Sequence, residues 1–158
     1  MRACLTFVAT TALAACAATP MPEPMPGPGP GGGAEIRSTE QDCAVIAAVA
    51  RQHYGYGGEN APLPLWNPVE ENGATWRLTC DWSRYGLSFP RTYQPTPPRP
   101  GEGFKPWVKF ERPRYTSRGA TVATSYLMGP LAGAGQECEL VSGVAGWTVR
   151  ECRMMWIS

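Results

Sequence analysis

QECELVSGVAGWTVRECR, Gln136 to Arg153, sets two runs of strand-forming residues on either side of the glycine-containing turn SGVAG. That pattern reads as a β-hairpin. Placing Cys138 opposite Cys152 sets Glu137 against Arg153 and Val141 against Val149, both favourable cross-strand neighbours. The same register sets Glu139 against Glu151, a mildly repulsive pair. The hairpin therefore predicts a Cys138–Cys152 disulfide. Four cysteines allow three connectivities, and Cys43–Cys80 follows by elimination. The spacings do not suit zinc: no C-x-x-C occurs and His53 is the only histidine. No metal and no other cofactor is expected.

Upstream, STEQDCAVIAAVARQHYG is the strong helix signal. Ser38 or Thr39 can cap it, with Gln41 or Asp42 three residues on, and Gly55 lies just past its end. Cys43, Ile46, Val49, Ala50 and His53 fall on one stripe, which should face the core. ATWRLTCDW alternates as a strand, with Trp76, Leu78, Cys80 and Trp82 on one face. That phase turns Cys80 inward, towards Cys43. WVKFERPRYT and ATVATSYLM form another pair around SRG, where Pro113 marks an edge or a bulge. The expected fold is α+β: an N-terminal helix packed on a twisted antiparallel sheet, a meander of about five strands, with two disulfides. In architecture alone this resembles the cone-shaped folds of the nuclear-transport-factor-2-like group. Two long turn-rich segments, Gly55 to Gly73 and Ser83 to Pro106, interrupt it, and loops of such length are often functional or disordered.

The beginning of the chain gives an address. Arg2 precedes an apolar run from Leu5 to Leu13, far shorter than the ~20 residues that span a bilayer. Leu13-Ala14-Ala15-Cys16 follows, and it resembles the lipobox of bacterial lipoproteins. The resemblance implies a signal peptide over residues 1–15, cleavage before Cys16, and lipidation of that cysteine by enough acyl chains for stable anchoring. Ala17 in place of the aspartate that retains lipoproteins at the inner membrane implies the periplasmic face of the outer membrane. TPMPEPMPGPGPGGG, Thr19 to Gly33, is nearly all proline and glycine, so residues 16–38 read as an extended tether. Residues 39–158 are expected to form a single folded domain. Its cysteines lie in an exported compartment, where thiols pair.

Chemistry-bearing residues are sparse. His53 would need a nucleophile and an orienting partner to act as a base, and no G-x-S-x-G is present, so no catalytic residue is assigned. Glu137, Glu139 and Glu151 share one face of the hairpin and read as a polar face balanced by arginines. GPLAGAG, Gly129 to Gly135, lacks the spacing of a phosphate loop and reads as a turn. Leu127, Met128 and Leu131 beside it form an apolar lip of the kind that meets partners. The richest segment runs from Arg84 to Arg118, where basic residues interleave with aromatics. Arg84, Arg91, Tyr93, Arg99, Lys105 and Trp107 are its candidate binding residues, suited to anionic polymers, headgroups and glycans. The function expected is a non-enzymatic binding or structural module of the envelope. Its partner is an envelope protein, peptidoglycan or lipopolysaccharide, and not nucleic acid, which an exported lipoprotein rarely meets. The alternative is a wall-directed enzyme, or an inhibitor of a wall-degrading enzyme such as lysozyme.

Overall fold

The computed structural model describes residues 35–66, 69–71, 74–90 and 103–158. Helix α1, Glu40–Gln52, starts where Thr39 and Asp42 satisfy each other's backbone. Asp42 N–H donates to Thr39 Oγ1 (3.1 Å) and Thr39 N–H to Asp42 Oδ2 (2.8 Å), a reciprocal cap. Asp42 is itself buried, and its other oxygen accepts the Tyr115 hydroxyl at 2.7 Å. Gly55, at φ 68°, turns the chain away after the last turn. Cys43, Ile46, Val49 and Ala50 are buried as the stripe requires, but His53 is exposed. The helix has ended by then, and His53 is its C-cap.

The helix is not the first element, as the sequence led one to expect. Strand β1, Glu35–Arg37, precedes it, so residues read as tether belong to the folded part. β1 lies parallel to β3, Ala74–Arg77, and β2, Val69–Glu71, pairs antiparallel with β3 to make a three-stranded sheet ordered β1-β3-β2. A parallel pair needs a crossover, and α1 lies within the segment that joins β1 to β3. The strand read over ATWRLTCDW stops at Arg77. Asp81 accepts from Ser83 N–H (3.2 Å) and Ser83 Oγ–H (2.6 Å), capping a 3-10 turn, Trp82–Tyr85, that Gly86 closes at φ 66°. Cys80 therefore lies beyond the strand. It still reaches Cys43, with a Cα–Cα distance of 5.6 Å, and staples the start of α1 to this segment.

The larger sheet is antiparallel and built from β4 (Trp107–Phe110), β5 (Arg114–Thr116), β6 (Gly119–Gly129), β7 (Ala132–Gly143) and β8 (Gly146–Ile157). Its order is β4-β6-β7-β8, with β5 pairing further along β6. β4 and β5 are two halves of one edge, parted at Glu111–Pro113, where proline has no N–H for the ladder. The outer edge of β4 is covered by the chain around Leu65: Trp66 N–H donates to Val108 O (2.8 Å) and Val108 N–H to Pro64 O (3.0 Å). Cys138 faces Cys152 and is bonded to it, with Glu137 opposite Arg153 and Glu139 opposite Glu151. Beyond that point the register slips, and Val149 faces Leu140 rather than Val141. The extra residue, Arg150, is a β-bulge, which hydrophobic pairing alone does not announce.

α1 packs against β8 and β6. Val45, Ile46 and Val49 meet Val108, Phe110, Val122 and Cys138, with Trp76 closing the same core. Gln52 fastens the helix end to β8. Its side-chain amide donates to Trp147 O and its carbonyl accepts from Val149 N–H, both at 2.9 Å.

Candidate functional site

Where α1 ends, part of the sheet is left uncovered. A hollow of ≈ 450 Å³ opens there, between the chain that leaves the helix and strands β6 and β7. Tyr54, Tyr56 and Tyr126 line it together with His53, Asn60 and Gln136. A volume of this order, with aromatic walls and a few polar groups, suits a small ligand or one unit of a polymer.

Local structure holds each wall in place. Tyr54 stacks on Tyr56 at 5.2 Å and meets Tyr126 edge-on at 6.1 Å. Thr124 Oγ1 donates to Lys109 O (2.9 Å), which leaves it to accept the Tyr54 hydroxyl at 3.0 Å. Asn60 Nδ2 donates to Tyr54 O (2.9 Å) and fixes the loop after Gly55. Burial pushes the phenols up: Tyr54 lies above its ordinary value, and Tyr56 is raised to about 12 by burial and then by its neighbour Tyr54. Both are neutral hydrogen-bonding groups at physiological pH. Gln136 takes an inward position on β7, between Ala134 and Cys138, and its Oε1 is buried without a hydrogen-bond partner. An unpaired buried carbonyl is costly.

A larger groove of ≈ 730 Å³ runs over Ala44, Ala47 and Ala48 on α1. Its polar residues are already engaged, Arg51 with Tyr85 O at 3.3 Å and Gln52 with β8. The tyrosine hollow is therefore the better candidate.

The residues singled out in the sequence are dispersed. Arg84 pairs with Glu40 at 2.8 Å beside the start of α1. Trp107 is buried on β4 and meets Trp66 edge-on at 4.3 Å. Lys105 is exposed, while Arg91, Tyr93 and Arg99 lie outside the described residues. Glu137 is balanced by Arg114 (2.6 Å), and Glu139 and Glu151 by Arg153 (2.5 and 3.5 Å). The imidazole of His53 stands edge-on to the Tyr54 ring at 4.9 Å, not between a hydroxyl and a carboxylate as a general base would. Its nitrogen and the sulfurs of Cys138 and Cys152 lie within 4.8 Å of one another. Those sulfurs are bonded as a disulfide, which offers no thiolate to an ion.

Tyr54, Tyr56, Tyr126 and Gln136 were not picked out by sequence reasoning. One signal was present: GAGQECEL sets a glutamine in the inward phase of a strand whose other inward residues are Ala134, Cys138 and Leu140. The chain matches no protein-family model, no curated protein and no solved structure.

Proposed function

We propose that the chain is a bacterial envelope lipoprotein, lipidated at Cys16 and carried on its Pro/Gly tether at the periplasmic face of the outer membrane, and that its folded domain is a non-enzymatic binding module. The ligand proposed is a glycan segment of the wall, held in the tyrosine hollow. One observation carries the reading: three tyrosines, a histidine and two side-chain amides gather around one hollow, with an unsatisfied acceptor among them. Aromatic rings take the apolar faces of sugar rings, while amides and phenols take their hydroxyls. The lipobox, the tether and the two disulfides support an exported setting.

The test is a titration of the isotope-labelled full chain with soluble disaccharide-peptide fragments of peptidoglycan. Amide shifts should move at His53, Tyr126 and Gln136, and Tyr126→Ala or Gln136→Leu should weaken binding at least about tenfold, one or two hydrogen bonds or ring contacts. Shifts confined to Arg84 and Lys105 would move the site to the basic segment. No shift anywhere would remove the glycan reading.

A further inference from the structure

Ten large hydrophobic side chains are exposed among the described residues, and six of them share one corner of the larger sheet. Met128 and Leu131 come from the end of β6 and the turn into β7, and Met154, Met155, Trp156 and Ile157 from the end of β8. The register joins the two groups. Ile157 faces Ala134, Trp156 faces Gly135, and Ser158 exchanges hydrogen bonds with Gly133 at 3.0 and 3.3 Å. Leu131 is 86% exposed and Ile157 77%. Neither Leu127–Gly135 nor Met154–Ser158 contains a charged side chain. Trp156 lies against Gly135, where a Cβ would collide with the indole. Trp156 is thereby held on one face of β8 and Ile157 projects from the other, so the corner is apolar on both faces.

A bare edge strand with apolar residues invites addition of another strand, but β8 is poorly fitted for it. Gln52 occupies the edge at Trp147 and Val149, and register shifts beside Arg150 and Met155 break the remainder into a short run. Bulges of this kind blunt edges. A protein partner would also be read through a polar rim, and the charges that flank the corner are engaged with one another, Glu137 with Arg114 and Arg153 with Glu139. An uncharged corner of Leu, Met, Ile and Trp matches instead the interfacial zone of a bilayer, where tryptophan is favoured.

The tether allows this contact. The nineteen residue-to-residue steps from Cys16 to Glu35 would reach about 60 Å at the rise of polyproline. A domain of this size is roughly 35 Å across. Wherever the tether leaves the domain, any corner can return to the membrane. We propose that this corner rests on the lipid surface, so that the domain is held at two points and with one orientation. The tether part of the argument depends on lipidation at Cys16, whereas the chemistry of the corner does not.

The test uses the full chain carrying Cys16→Ser, so that no acyl chain contributes, floated with phosphatidylethanolamine/phosphatidylglycerol vesicles. It is compared with the same chain also carrying Leu131→Glu and Ile157→Glu, which alter two solvent-facing side chains and share everything N-terminal. Circular dichroism and intact disulfides check that both fold. The double substitution should lower vesicle partition at least tenfold. Equal partition of the two chains would overturn the proposal. So would a self-association seen by sedimentation that the double variant abolishes while vesicle binding stays the same, because the corner would then serve a second copy. The intact mass of the unsubstituted protein, purified from membranes, reads lipidation separately, so the two ideas fail in different assays.

Discussion

Tyr54, Tyr56 and Tyr115 hold their protons more tightly in the folded chain than a solvated tyrosine does. Burial is the first cause for each, joined at Tyr115 by the hydrogen bond to the Asp42 carboxylate, which an ionised phenol could not make. The unfolded chain releases these protons near pH 10 and the native chain only above that. Stability is therefore fully present below pH 10 and falls as pH rises towards 12 and beyond. Thermal melts between pH 9 and 12 should show the fall. Tyr115→Phe should cost about 1–2 kcal/mol at neutral pH yet make the alkaline slope shallower. An unchanged slope would mean that Tyr115 ionises alike in both states. At this scale the sequence was partly legible. The Thr39–Asp42 cap could be read from spacing, because it is local. The Tyr115–Asp42 bond could not, because its partners stand 73 positions apart.

Gln52 gives β8 what a neighbouring strand would give it, one donor and one acceptor at the right spacing. Gln52→Ala removes both bonds and should cost about 1–2 kcal/mol, with faster hydrogen exchange at the Val149 amide. Gln52→Glu keeps the acceptor for Val149 but loses the donor to Trp147 O, and should fall between. Unaltered exchange at Val149 in both variants would show the clamp to be idle. Elements were legible where a pattern is regular over many residues: α1, the β7–β8 hairpin and the proline break at the edge of β6. They were not where a strand and a turn share an alternation. Leu78, Cys80 and Trp82 continue the phase of Trp76, so period alone cannot end β3 at Arg77. Its neighbour ends it instead: β1 stops at Arg37, Ser38 N–H closes on Arg77 O and the Ser38 hydroxyl accepts Thr79 N–H, both at 2.9 Å, before Asp81 caps the 3-10 turn. Arg150 was invisible for a related reason: a bulge changes which residues face each other without changing what they are.

The two disulfides act on the whole domain to different degrees. Cys43–Cys80 spans 37 positions and links α1 to a segment outside the larger sheet, while Cys138–Cys152 spans 14 within a hairpin already paired along its length. Chain entropy assigns them about 3.8 and 3.0 kcal/mol. The gap should widen in practice, because the hairpin keeps its thiols together without the bond. Replacing Cys43 and Cys80 by alanine should lower Tm by at least about 10 °C, and replacing Cys138 and Cys152 by less. The opposite order would mean that the hairpin needs its staple to form. On the envelope reading proposed above, the clamp between Gln52 and β8 bears on how the chain emerges from a membrane. Its two halves are 95 and 97 positions apart, and β8 is the last strand described. A chain threaded through a translocase from its beginning delivers α1 long before the strand that anchors it. Until β8 arrives the helix lacks part of its floor and its apolar stripe stands open, although Cys80, the partner of Cys43, is delivered earlier. The domain therefore cannot close over its core before β8 is in place, and the open helix is exposed to proteases for as long as that delay lasts.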